Sequence, residues 1–382
     1  MNLCTHFSNI RLLSAILFFL GAVVPGEICV GGGYSFRSTS SMSVPRAYHS
    51  ATSLGDDNVM VAGGDTGTAI TNTAELYDLP TRTWSSVGNM AHARSEHRAT
   101  LLLDDRVLVV GGRDESGVIA STEIYDPSSM TWNETTSLNV ARADHTATLL
   151  SDGRVLVAGG VDTGNSATTS VEIYDPQTGL WTETGSLLVA RFGHTAVLLS
   201  NGLVLVAGGN DDDHALTDAE LYDPATATWT VTGSMAMARF RHTANLLLSG
   251  TVLVAGGLDT DLNLLATAEL YDPDSGTWRG AATMSVARAE HTATMLPNGL
   301  VVVAGGEDGA MKIAELYKPG KDIWRPSDDL VDGRFAHAAV LLPNTKVLIC
   351  GGASDQVPRK AVPSFHLDQV SLVECELGRA RR

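Results

Sequence analysis

The stretch ARADHTATLLSDGRVLVAGG, residues 141–160, decides the fold. It recurs as ARFGHTAVLLSNGLVLVAGG at 190–209 and as ARFRHTANLLLSGTVLVAGG at 238–257. Gly-Gly pairs stand at Gly63-Gly64, Gly111-Gly112, Gly159-Gly160, Gly208-Gly209, Gly256-Gly257, Gly305-Gly306 and Gly351-Gly352, in steps of 48, 48, 49, 48, 49 and 46 residues. An Arg-x-x-His keeps the same beat: Arg46/His49, Arg94/His97, Arg142/His145, Arg191/His194, Arg239/His242, Arg288/His291 and Arg334/His337. A strand-rich period of about 40–50 residues marks a propeller or an array.

One unit reads as four strands. His145–Leu150 alternates β-branched and small residues with others. Val155–Ala158 is apolar on both faces, as a central strand between neighbouring sheets should be. Val171–Asp175 is the third strand, and a short fourth carries Trp181. Asp152-Gly153, Asn201-Gly202 and Asn298-Gly299 suit a type I′ turn between the first two strands. Asp-Pro pairs such as Asp175-Pro176 mark the turn between the last two. One such sheet cannot bury both its faces, so the units must stack around an axis. Tyr77, Tyr125, Tyr174, Tyr222, Tyr271 and Tyr317 recur on the third strand, and Trp84, Trp132, Trp181, Trp229, Trp278 and Trp324 on the fourth. They are expected to fill the space between sheets.

Gly-Gly after an apolar strand, then a Tyr, then a Trp, resembles the kelch repeat, across about residues 34–368. The expected fold is all-β: a seven-bladed β-propeller of four-stranded antiparallel blades. The count is seven Arg-x-x-His/Gly-Gly halves but six Tyr/Trp halves. Phe36 lies ten residues before Arg46, the spacing that separates Trp229 from Arg239. The N-terminus is thus expected to supply a fourth strand at Phe36. The C-terminus should add two strands over 337–352 and a weak third at Phe365–Asp368. A blade shared by both chain ends closes the ring without an open edge.

Residues 1–26 read as a secretory signal: Arg11, the apolar run Leu12–Val24, then small residues at Val24-Pro25-Gly26. That run is short for a span, which needs about 20 apolar residues, although an uncleaved anchor is the alternative. The division expected is signal 1–26, propeller 27–368 and a tail at 369–382. The mature chain should be a secreted monomer without a membrane span, periplasmic if the source is Gram-negative. In an exported chain Cys29 and Cys375, both flanking the shared blade, can form a disulfide. Cys350 reads as a core residue, and Asn133-Glu134-Thr135 is a glycosylation sequon. A net charge of −17 argues against nucleic acid, which requires a basic stripe.

Function is expected on the face carrying the Arg-x-x-His segments and the loops after Gly-Gly. A residue present in every blade does the same work in every blade. Arg46, Arg94, Arg142, Arg191, Arg239, Arg288 and Arg334 are therefore read as structural, and the seven His as hydrogen-bonding residues. Acids follow nearly every Gly-Gly (Asp65, Asp114, Asp162, Asp211, Asp259, Glu307, Asp355), which suggests an Arg–acid ion pair in each blade. The alternative is an anion-binding mouth. Subtracting the repeat leaves Phe192, Asp211, Asp213, His214, Phe240 and Arg241 as ligand-binding candidates, beside Leu262, Leu264 and Leu265. Ordinary solvated loops are the competing reading.

No catalytic residue, metal or cofactor is expected. Galactose oxidase also has kelch-like repeats, but its copper needs Tyr, Cys and His at the axis. Tyr34 and Tyr48 are the only Tyr outside the repeat, and the non-repeat His92, His214 and His366 fall in different blades. A sialic acid epimerase shares the repeat too, so a sugar-modifying enzyme is the alternative. The favoured reading is a binding module for an extracellular protein or glycan.

Overall fold

A computed structural model describes residues 34–354 apart from 56 and 308–310, with the backbone of 371–372 and 376–380. Six four-stranded antiparallel blades are each made from one continuous segment: 50–89, 98–134, 146–183, 195–231, 243–280 and 292–326. The blade at 146–183 is typical. Its strands are Thr146–Leu149, Val155–Ala158, Val171–Asp175 and Leu180–Glu183, in register pairs such as Val155↔Tyr174 and Tyr174↔Trp181.

The expectation of a seven-bladed propeller, its seventh blade closed by both termini through Phe36 and Phe365–Asp368, is corrected to six blades. The chain builds six continuous blades, and the remaining four-stranded sheet is composite. Its order is Tyr34–Ser38, Glu376–Ala380, Val347–Cys350, Ala338–Leu341, with Phe36 and Val347 both paired to Gly378. The third strand is thus 376–380, inside what was read as a tail. Phe365–Asp368 lies outside the described residues, as do 1–26, Cys29 and Cys375. Composition misled here: Phe-His-Leu-Asp looks more strand-like than Glu-Leu-Gly-Arg-Ala. Backbone pairing with Val347–Ile349 chose the latter all the same.

The first strands line the axis, each beside the next, and Ala338–Leu341 stands between Thr292–Met295 and Ser50–Ser53. Second strands are buried throughout, because sheets pack on both of their faces. Each Tyr meets its Trp at ring-centroid distances near 5 Å. Five of the six Trp indoles then donate to a carbonyl of the preceding unit, as Trp181 does to Thr136 at 3.0 Å and Trp229 to Gly185 at 2.7 Å, and Trp132 is the exception. Between the first two strands the turn is not type I′. Gly153 alone has positive φ (89°) and donates to the Leu150 carbonyl, as in a type I turn with a glycine bulge. Asp57, Asp105 and Thr345 fill that left-handed position where Gly is missing.

Both glycines of each pair are required. Gly159 has φ +61°, and a Cβ there would lie 2.5 Å from the Arg191 carbonyl and 2.8 Å from the His194 ring. A Cβ on Gly160 would lie 2.5 Å from the Ala143 carbonyl. The bare backbone lets the Gly160 amide donate to Arg191 O at 2.8 Å, which ties one blade to the next.

Candidate functional site

Every Arg of the Arg-x-x-His segments is fully buried. Arg142 donates to the carbonyls of Gly159 (2.9 Å) and Ser170 (2.7 Å) and to Glu172 Oε1 (2.9 Å). Glu172, itself 0% exposed, also accepts from the amides of Asn139 (2.7 Å) and Val140 (3.1 Å). The same construction joins Arg46–Glu75, Arg94–Glu123, Arg191–Glu220, Arg239–Glu269 and Arg288–Glu315. Arg334 donates to Gly351 O. The expected partner was the acid after Gly-Gly, and that is corrected. The guanidinium pairs with the third-strand Glu of its own blade and pins the incoming connection there. Five of the acids after Gly-Gly, Asp65, Asp114, Asp162, Asp211 and Asp259, instead cap turns of their own loops: Asp162 Oδ1 accepts from Gly164 N, Asp211 Oδ1 from His214 N, Asp259 Oδ1 from Asn263 N.

The His side chains form a buried belt beneath the mouth. Nε2 of His97, His194, His242, His291 and His337 meets a hydroxyl of the preceding unit: Ser50, Thr146, Thr195, Thr243 and Thr292. Burial, reinforced by neighbouring Arg charge, holds all five well below the usual His range, so they are neutral. His145 differs. The residue that should serve it is Arg98, and both His145 ring nitrogens are buried without a partner.

The residue just before each His carries the variation: Tyr48, Glu96, Asp144, Gly193, Arg241, Glu290 and Ala336. All seven have left-handed φ, from 50° at Ala336 to 59° at Gly193. Each amide donates to the carbonyl of the equivalent residue one unit back: Glu96 to Tyr48 (3.1 Å), Asp144 to Glu96 (3.1 Å), Gly193 to Asp144 (3.2 Å) and Arg241 to Gly193 (2.7 Å). Glu290 to Arg241 (3.2 Å), Ala336 to Glu290 (3.1 Å) and Tyr48 to Ala336 (3.0 Å) complete a closed circle. Six non-glycine residues in this uncommon conformation mark a place that the surrounding fold over-determines.

Their side chains line a cavity of about 240 Å³ at the axis, with Arg98 and several of the ring His. Glu290 is held by Arg241 and by the Tyr48 hydroxyl at 3.0 Å. Burial raises the Glu290 carboxyl and, helped by Glu290, the Tyr48 phenol. Burial pulls Arg241 down, but Glu290 and Asp144 outweigh it and raise it overall. Glu96 accepts from Arg113 at 2.6 Å, while Asp144 lies 3.6 Å from Arg98.

The ligand-binding candidates from sequence do not form one site. Phe192 and Phe240 meet edge to face at 6.4 Å, but Phe240 is only 2% exposed. It packs under Leu258 with Leu262 and Leu264 against it, so this apolar group is internal. Asp213 and His214 are exposed on the rim, Asp211 is half-buried there, and Arg241 alone reaches the axis. Tyr48, Glu96, Asp144 and Glu290 were missed. A signal existed: one column of the repeat never keeps the same residue from one unit to the next.

A family profile described as the Attractin/LZTR1 beta-propeller matches residues 33–220, and the kelch motif matches 239–285. No curated protein is similar enough in sequence to count as a match. Among solved structures, a novel fungal alcohol oxidase of the AA5 family, in complex with copper, has a TM-score of 0.68 at 19% identity. The likeness covers 85% of this chain and 73% of that one. At that identity it shows the fold alone. Among the described residues no group of three or more His, Cys, Asp or Glu could hold a metal ion, and five ring His already commit Nε2 to hydroxyls. No helix among the described residues is long and apolar enough to cross a membrane.

Proposed function

This chain is a kelch-repeat β-propeller, and from that premise we propose that it is an interaction module whose partner contacts the axial mouth. One observation carries the reading. Seven equivalent positions share φ and a closed circle of backbone hydrogen bonds, yet present Tyr, Glu, Asp, Gly, Arg, Glu and Ala to one cavity. Packing holds the Arg, His, Gly-Gly, Tyr and Trp nearly constant around the ring. A varied column on a rigid frame is where recognition can be written. The exposed loop at Asp211–His214 then serves as outer rim.

The partner in this reading is an extracellular protein or glycan. Export rests on the apolar run Leu12–Val24, and with export goes a Cys29–Cys375 disulfide. Peptide mapping of unreduced protein that found both thiols free would remove the disulfide. To test the contact face, a photoreactive residue is placed at Arg98 in the mouth, or at Leu103 on the opposite face, where 71% is exposed. Each variant is exposed to a glycan array and to proteins of the source medium. Conjugates from position 98 support the reading; conjugates from position 103 alone overturn it.

A further inference from the structure

We propose that the axial cavity binds a cationic group, an ammonium or a guanidinium, with Asp144 as its carboxylate partner and the space at Gly193 as its seat. The proposal rests on the interaction-module reading and gives its ligand a chemistry.

Three carboxylates line the cavity, and two are satisfied from within. Glu290 has Arg241 and the Tyr48 hydroxyl; Glu96 has Arg113 at 2.6 Å. Asp144 is 19% exposed; its ion-pair partner Arg98 stands at 3.6 Å, just beyond hydrogen-bond reach, and Arg241 is a second cationic neighbour that makes no hydrogen bond to it. Among the described residues its carboxylate accepts no hydrogen bond. A half-buried carboxylate without donors has more to gain from a partner than one already paired.

Gly193 is the one glycine in the circle, so it puts no side chain of its own beside Asp144. A Cβ there would make ordinary contact with Arg241 Cγ at 3.4 Å, Asp144 Oδ2 at 3.5 Å and Phe240 Cδ2 at 3.5 Å. The volume a side chain would occupy therefore borders the unsatisfied oxygen. Charge sets the sign of what can sit there. Glu96 and Glu290 are neutralised by Arg113 and Arg241, which leaves Asp144 and the partly exposed Arg98 to meet a ligand, within a chain of net charge −17. An anion would have to use Arg98, whose side chain is 40% exposed, so solvent already competes for it, and would sit beside the Asp144 charge. A cation meets Asp144 directly and gains a charge-assisted hydrogen bond.

The test uses the full chain and dansylcadaverine, a primary alkylammonium, read by fluorescence anisotropy. Wild type should bind it saturably and ignore its N-acetylated, uncharged form. Asp144→Asn should weaken binding about tenfold or more, the worth of a hydrogen bond to a charged group. Gly193→Asn should do the same by filling the seat. Asn tolerates left-handed φ, and the other circle positions carry side chains at that φ. Asp274→Asn, exposed in the turn on the opposite face, should change nothing, and all three variants should melt with wild type. Competition by glucosamine oligomers or by a hexalysine peptide identifies which carrier of the amine fits, and either supports the proposal. Absence of saturable binding at millimolar probe overturns it, as does binding unaffected by both Asp144→Asn and Gly193→Asn. Binding of dansylglutamate that Arg98→Gln abolishes also overturns it, yet leaves the interaction-module reading standing. That broader reading fails separately, by cross-linking from the opposite face alone.

Discussion

The Tyr48 hydroxyl donates to Glu290 Oε2 at 3.0 Å across 242 residues of chain. One belongs to the first repeat unit and the other to the sixth, and they meet because the units curl into a ring. The axial mouth is therefore a property of the closed disc. Anything that loosens the contacts between units should damage the mouth before it melts a blade.

Arg142→Ala should be among the most destabilising single changes in the chain. It leaves Glu172, which is 0% exposed, without its cation and removes donors to two carbonyls. Breaking a buried pair from one side costs about 3–5 kcal/mol. Urea denaturation should show that loss. Arg154→Ala, on an exposed pair with Asp152, should fall within about 1 kcal/mol of wild type.

Gly208→Ala and Gly202→Ala separate two roles of glycine. At Gly208 a Cβ would stand 2.5 Å from the Arg239 carbonyl, with φ at +61°. At Gly202 φ is +86° but nothing lies within 4 Å. Thermal melts should place Gly202→Ala about 1–3 kcal/mol below wild type, the worth of backbone strain alone. Gly208→Ala should fall further, since strain and collision add there and the blade-to-blade hydrogen bond is displaced.

Arg98→Thr should stabilise the fold. Five ring His rest Nε2 on a hydroxyl, and His145 has none because Arg98 stands in that place. A threonine would supply the missing partner, worth about 0.5–1.5 kcal/mol. The ion pair lost with Asp144 is long and partly exposed, hence weak. A lower denaturation midpoint for this variant would show that His145 is not served this way.

Acid should unfold the protein early. Burial depresses His97, His145, His194, His242, His291 and His337 in the folded state, so the unfolded chain takes up their protons first. Stability from each is complete above the unfolded His value near 6.5 and is lost as pH falls toward the depressed folded value. The loss reaches about 1.4 kcal/mol per pH unit per His. Glu290 has the opposite sign, since burial raises it: its contribution is present at low pH and lost as pH rises through its folded value. Six against one, the His belt should dominate. Stability by urea titration should be level above about pH 6.5 and drop steeply below it. His194→Asn should shallow that slope by one proton.

The sequence alone determined the scaffold. Period, strand order, the buried second strands and the Tyr/Trp pairs all follow from local patterns that repeat, and repetition turns weak signals into a strong one. Kelch kinship was legible for the same reason. Tertiary structure decided what depends on bringing distant segments together. Backbone pairing selected Glu376–Ala380 over Phe365–Asp368 to share a sheet with Tyr34–Ser38, and left six continuous blades beside one composite sheet. Ring geometry matched six of the buried Arg to a third-strand Glu and turned acids such as Asp162 inward on their own loops. It buried Phe240, which reads as an exposed anchor in the sequence. It also gathered Tyr48, Glu96, Asp144, Arg241 and Glu290 around one cavity. In the chain successive members of this group stand 48, 48, 97 and 49 positions apart, and only a closed ring of blades turns that spacing into contact.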